Sequence, residues 1–506
     1  MYIQSSFCWK LSFQQLIVIV RAKHSGSFCG ILLLLFLHIH FSIDAIAPIA
    51  PNYFNLDSNE VRPLCHTLDN GFKYVFIPNN KPRGQIEFQL LVNAGKRCES
   101  ADQTGLSHLL GHILFKSLEE SLQRKIFQSR TTMWFDEYFE VGLDITSYRF
   151  IYKPSSEIDK FMVLDMFKEL IKERPITHDL FSNERQLFLP EFTNLLSRFV
   201  ADEIALGRLE NLPAYDGDLN AHYYSNFWSL SLDDLSNFKS AYYTAENMTL
   251  VITGDIEEDI VALTSSIEEL FSGVKIGDAA GAYTSLEKNF EFKSQTVCLQ
   301  SQKGLNGISF YLPVKFEDAF SREDQIANHL IFSNWINFIF ATNTDIISGN
   351  WSYANVSFHV IDNNTGLVAI DIYAISTTIL DVEDVVRIKQ SAVNALYDPE
   401  IKEVFLNDFL SKQQKLSMYQ FRPTSTQLSD WYVNSLISQT IFRTGFVRYR
   451  YFEQQVLNVD LDYYSTLLES MFDLESSIVV LNLNKDNSRL DCSVVAGQLS
   501  KALDGK

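Results

Sequence analysis

Hydrophobic and polar positions along the chain follow two rhythms. Residues 72–79 (FKYVFIPN) and 86–95 (IEFQLLVNAG) are rich in aromatic and β-branched side chains and predict strands. LDNG (68–71) and NNKPRG (79–84) supply the turns around them. A helical rhythm follows in TGLSHLLGHILFKSLEE (104–120), where Leu106, Leu109, Leu110, Ile113 and Leu114 fall three or four apart and Thr104 is the expected N-cap. Next come a strand over 143–154, an amphipathic helix over 157–174 stopped by Pro175, and a helix over 182–206 that contains Pro190. A buried strand (248–255) and a helix (258–272) complete this half. Beyond a Gly/Ala-rich hinge at 272–285 the mixture restarts: strand 307–314, helix 322–341, strand 366–376, helices 381–396 and 402–418, and a late strand 476–484. Hairpin-like strands mixed with helices, without regular βαβ alternation, predict an α+β fold. The expectation is two tandem domains over 46–275 and 276–506, each an antiparallel sheet packed with helices.

Composition narrows the function classes. The chain has 506 residues, 46 % hydrophobic and 21 % charged, as expected of globular domains with substantial cores. A formal charge of −20 argues against nucleic acid and anionic membranes as partners. The 39 Phe and 22 Tyr are read first as core. At the N-terminus, Lys10, Arg21 and Lys23 precede the apolar run GILLLLFLHIHF (30–41) and the small-residue stretch SIDAIAPIAP. These are the parts of a secretory signal over 1–45, cleaved near Ala45, with a retained signal anchor as the alternative. The run is short of the roughly 20 residues of a membrane span, so no stable span is expected after cleavage. The expected location is therefore the secretory-pathway lumen or outside the cell. Four cysteines remain beyond the signal (Cys65, Cys98, Cys298 and Cys492), and three pairings are open. Sequons at Asn247, Asn350, Asn355 and Asn363 fit the same route.

The candidate chemistry sits in the helix over 104–120. His108 and His112, at i and i+4, share one helix face at a spacing that lets two imidazoles converge on a metal ion. Glu184 and Glu191, seven apart, share a face of a second helix, and a carboxylate from there could complete a three-ligand site. Gly111 stands beside His112, where a hydrolytic site would want a carboxylate.

GLSHLLGHILFKS resembles the zinc-motif helix of the pitrilysin/insulinase metallopeptidases, whose pattern is H-x-x-E-H. LDNGFKYVFIPNNKP and LLVNAGKRCESADQTGLSHLL resemble that family's opening strand and its approach to the motif. SNERQLFLPEF resembles the helix carrying the third ligand, with Glu191 lying 79 residues beyond His112. FKSAYYTAENMTLVITGDIEEDI resembles a later strand entry, so the likeness covers most of residues 60–275. The resemblance implies Zn2+ held by His108, His112 and Glu191, with Glu184 as a supporting acid. It also implies that Gly111 occupies the general-base position, leaving no catalytic residue there.

Glycine can neither take a proton from water nor hand one to a leaving amine, and a positioned base contributes roughly 10²–10⁴-fold. The resemblance therefore implies a zinc-binding but catalytically impaired protein. Its partners would be peptides, or a second family chain completing a chamber of which this chain is about one half. Two alternatives stay open. One is an active metalloendopeptidase using Glu119, Glu120, Glu184 or a partner chain. The other is a metal-free structural interaction protein. The family's substrate-binding strand has no clear counterpart in SRTTMWFDEYFEVGLD (129–144).

Overall fold

The computed structural model describes residues 61–127, 136–153, 159–172, 174–195, 200–209, 226–277, 292–301, 307–317, 321–343, 351–361, 364–374, 382–419, 423–437, 442, 445–484 and 492–503. The signal-like segment 1–45 lies outside them. Strands β1 (Leu64–Thr67), β2 (Lys73–Pro78), β3 (Ile86–Val92), β4 (Asp136–Val141), β5 (Thr146–Tyr152) and β6 (Met248–Gly254) form a six-stranded sheet in the order β1-β2-β6-β3-β5-β4. Strands β7 (Gln295–Ser301), β8 (Gly307–Lys315), β9 (Trp351–Val360), β10 (Thr365–Ala374) and β11 (Ile478–Asn484) form a second sheet in the order β7-β11-β8-β10-β9. Each is mainly antiparallel and carries one parallel pairing, β2 with β6 and β7 with β11. The fold is α+β with two sheets, as expected.

The helices, in chain order, are α1 (Leu106–Phe127), α2 (Lys160–Ile171), α3 (His178–Leu195), α4 (Val200–Leu209), α5 (Leu232–Tyr242), α6 (Ile260–Phe271) and α7 (Arg322–Thr342). They continue as α8 (Val382–Leu396), α9 (Pro399–Tyr419), α10 (Ser425–Ile437), α11 (Gly445–Val456), α12 (Leu461–Met471) and α13 (Cys492–Leu503). The helix expected over 182–206 is two, α3 and α4, and α3 runs through Pro190.

Strand alternation assigns the faces. Ile86, Phe88, Leu90 and Val92 of β3 join Tyr148, Phe150, Leu250 and Ile252 in a core closed by Leu106, Leu109, Leu110 and Ile113 of α1 and Val163 and Phe167 of α2. The same core takes Val297, Tyr311, Leu367 and Val480 from one face of the second sheet. The other face of that sheet packs Phe310, Ile370 and Leu481 on α7, α8 and α12 through Ile336, Ile388 and Leu468.

The remaining face of the first sheet is also buried, under α10, where Leu428 and Tyr432 meet Val75, Leu91 and Val251. This face is partly polar. Glu87 and Arg149 form a buried ion pair, and Arg149 also donates to Asp430 of α10 at 2.8 Å. Ser429 donates to Gln89 at 3.1 Å, and Gln89 to Ser147 at 2.7 Å. Burial raises the pKa of Glu87 and of Asp430, while Arg149 opposes the rise in both. Removing one member of a buried charge cluster strands the others in a poor solvent. Arg149→Met should therefore lower unfolding free energy by about 3–5 kcal/mol in urea at neutral pH.

In the second core, His329 of α7 is a satisfied histidine, as expected of an isolated one. Its Nδ1–H donates to the Gln325 carbonyl at 2.7 Å, its Nε2 lies 2.9 Å from the Tyr463 hydroxyl, and its ring stacks on Phe358. Burial pulls its pKa down to about 4, against the Gln325 hydrogen bond. The unfolded chain, titrating near 6.5, then binds more protons than the folded one as pH falls from about 6.5 to 4. Stability should fall over that window, by up to about 3 kcal/mol from this group. His329→Gln should reduce the slope of thermal midpoint against pH there.

Candidate metal centre

Helix α1 starts from an unusual anchor. Gly105 adopts φ +88, a left-handed conformation that favours glycine. The free N–H groups that follow are met by Glu99, six residues upstream. Its Oε2 accepts from the Gly105 N–H at 2.9 Å, and its Oε1 from the Ser107 N–H at 2.8 Å and the Ser107 hydroxyl at 2.5 Å. Thr104, the expected cap, turns its hydroxyl to the Ala101 carbonyl at 3.4 Å. Burial pushes Glu99 up to about 7, against the bonds from Ser107 and Gly105 that favour the carboxylate.

One turn on, the His108 and His112 rings lie nearly parallel, with centroids 5.1 Å apart and planes at 18°. Phe188 of α3 packs on both, at 4.4 Å and 4.7 Å. Phe139 of β4 meets both edge-on, at 5.9 Å and 4.9 Å. Burial holds His108 well below the usual imidazole range, helped by the charge of Lys96 and by His112, and brings His112 to about 4. Both are therefore neutral at pH 7, the protonation state in which imidazole ligates a metal. In donor type, charge and spacing the pair fits zinc.

Glu184 is buried on α3, one turn before Phe188, on the side that packs against α1. Glu191 lies on the same helix one turn after Phe188, but its side chain lies outside the described residues, as do those of Glu119 and Glu120. Among the described residues no three His, Cys, Asp or Glu gather as a metal site. Gly111 is buried in α1 between the two rings in sequence and turned toward Phe139.

The stretch around 129–144 does supply an edge strand. Among the described residues β4 pairs only with β5, its register placing Phe139 opposite Tyr148. Sequence reasoning missed three residues that shape the site. Glu99 caps from outside the local helix signature, and Phe139 and Phe188 read as ordinary core positions. A partial signal was present, an acid shortly before a glycine-led helix and an aromatic pair in DEYFEV.

Residues away from the two histidines have plainer surroundings. Cys65 and Cys98 are free thiols and Cys298 is disulfide-bonded. His66 stacks on Tyr74, and His178 and His359 lie beside Ser182 and Ser357, while His222 lies outside the described residues. FVRYRYFEQQ (446–455) forms part of α11, where Tyr451 donates to Asp324 of α7 at 3.0 Å. In AHYYSNFWSLSLDDL (221–235), Phe227 is core and packs 5.5 Å from Phe188, while Trp228 is exposed.

Comparison with known proteins agrees with this architecture. A profile described as insulinase (peptidase family M16) matches residues 74–195, and one described as peptidase M16 inactive domain matches 229–399. The zinc protease PqqE of Helicobacter pylori is 27 % identical over 207 residues, 38 % of this chain and 44 % of that one. The mitochondrial-processing peptidase subunit beta of Lentinula edodes is 23 % identical over 346 residues, 63 % of this chain and 69 % of that one. Among solved structures, the periplasmic protease PqqL of Escherichia coli superposes with a TM-score of 0.66 at 13 % identity, over 87 % of this chain and 50 % of that one. The first half of PqqL, solved alone, gives 0.66 at 14 % identity and is 96 % covered. The chain thus spans about half the length of full-length PqqL, and at such identities the structural likeness shows the fold alone. With the motif helix, the two α+β sheets and both profiles in agreement, the chain belongs to the pitrilysin/insulinase family, peptidase family M16.

Proposed function

We propose that this chain is a zinc-holding, catalytically impaired member of its family that binds peptides or pairs with a second family chain. The observation that carries the reading is Gly111, a residue without a side chain at the general-base position of α1, between two neutral imidazoles. His108, His112 and Glu191 would hold the metal, with Glu184 in support. When bound, zinc would supply Lewis-acid polarisation of a carbonyl. The chain's own residues divide the remaining work. Glu99 fastens the start of α1, and Phe188 packs α3 against both imidazoles. Gly111 offers no atom to accept or return a proton, which removes roughly 10²–10⁴-fold of rate.

Binding without turnover is supported by β4, an edge strand whose outer backbone groups can take an extended peptide as a further strand. Subunit character is supported by likeness to a relative named a processing-peptidase subunit. Passage through the secretory route is supported by the signal-like segment over 1–45 and the disulfide at Cys298.

Plasma mass spectrometry on the purified chain should find near one zinc per molecule, lost in His108→Ala, together with peptide binding by fluorescence anisotropy and no cleavage of the bound peptide. Zinc absent from both proteins would favour a metal-free interaction scaffold. Efficient cleavage by the unmodified chain would favour an active enzyme with another base. Glu99→Ala should lower stability by about 2–3 kcal/mol, because three donors at the start of α1 lose their acceptor. It should also lower the zinc content, since His108 follows directly on the loosened turn. Denaturant unfolding and metal analysis on one preparation check both.

A further inference from the structure

We propose that Gly111 and Phe139 are one interlocked pair: the ring from the edge strand occupies the space that any side chain at the general-base position would need. The inference rests on reading position 111 as that position. A Cβ placed on Gly111 would lie 2.6 Å from Cε2 and 2.9 Å from Cδ2 of Phe139, closer than real Cβ contacts come. A glutamate would carry four further heavy atoms into the same volume.

The partly buried ring has partners on several sides. It meets His108 and His112 edge-on and packs against Phe115 at 5.6 Å and Tyr148 at 6.1 Å. Its backbone is held in register on β5, and Tyr148 beneath it donates to or accepts from Tyr243 at 2.7 Å within the core. Displacing Phe139 therefore disturbs four rings and a strand. Glycine is a poor residue in the middle of a helix, and this packing is what suits it here. Phe139 is thus a positioning residue. It ties the strand on which a peptide would dock to the helix that carries the imidazoles, and a glutamate restored at 111 alone has to displace the ring.

The decisive measurement is a reversal of sign in stability. In an open helix position Gly→Ala is stabilising. With Phe139 in place, Gly111→Ala should lower the thermal midpoint by at least about 2 °C. In a Phe139→Ala or Phe139→Val background the same change should raise it, and the valine variant keeps strand propensity should the alanine variant fold poorly. An equal rise in all backgrounds would overturn the pairing. So would peptide cleavage by Gly111→Glu alone at the rate of Gly111→Glu/Phe139→Val. Zinc content of each variant separates the two ideas: a metal-free series showing the reversal would retain the pair and refute the zinc reading of the site.

Discussion

The burial of α1 is the constraint from which the rest of this site follows. The helix presents Leu106, Leu109, Leu110 and Ile113 to the first sheet, and each such side chain contributes about 1.5–3 kcal/mol when fully buried. His108 and His112 are carried into the same low-dielectric surroundings. Burial lowers the pKa of both rings and keeps them neutral, the state in which imidazole can ligate a metal. The N-terminal end of the helix is sunk as well, so its backbone donors need a partner from inside the protein, and Glu99 provides it. The donor state of the imidazoles and the direction of the helix thus have a common origin in the packing of α1.

A second constraint holds the sheet beneath. β3 is buried along its whole length because α1 and α2 cover one face and α10, from the far end of the chain, covers the other. The covering of the second face is polar at its centre, through Glu87, Arg149, Gln89, Ser429 and Asp430. A buried cluster of this kind contributes little net stability while it is intact and becomes costly when one member is lost. It therefore fixes where α10 sits more than how tightly it is held. The second sheet, in turn, gives one face to the first core. The two halves share apolar surface in both directions, and β4 inherits its position from β5 at the edge of this arrangement.

Much of this was legible in the sequence where the signal is periodic and local. The apolar spacing of α1, the strands near 72–79 and 86–95, and the buried strand at 248–255 all lie within one or two residues of the reading or overlap it closely. The helices after residue 420 lie outside the sequence expectations although α12 carries a clear apolar face, with Tyr464, Leu467, Leu468 and Met471 buried on one side. β4 was missed because Asp136, Glu137 and Glu140 break its alternation, as suits an edge strand exposed on one side. Thr104 was read as a cap because capping was sought locally, whereas the acceptor came from Glu99 across a turn. Spacing and resemblance pick out the two histidines, Gly111 and Glu184, while the Glu191 side chain lies outside the described residues. They do not pick out the ring of Phe139, since its place depends on strand register, a property of paired segments and not of either one alone.

The separate environments of the site residues give its chemistry a physical division. Both imidazoles are braced between α3 and β4, through Phe188 and Phe139. Position 111 faces Phe139, on β4 alone among the atoms that a side chain there would first meet. The placement of the imidazoles against Phe188 therefore depends on how α1 meets α3, and the space at position 111 on how α1 meets β4. A chain can keep the first contact while the second closes. With an aromatic ring packed into the space beside a glycine, the contacts that hold the ring also oppose a side chain there. The packing of β4 on α1 thus governs position 111, while the surroundings that keep His108 and His112 neutral are set by the burial of α1.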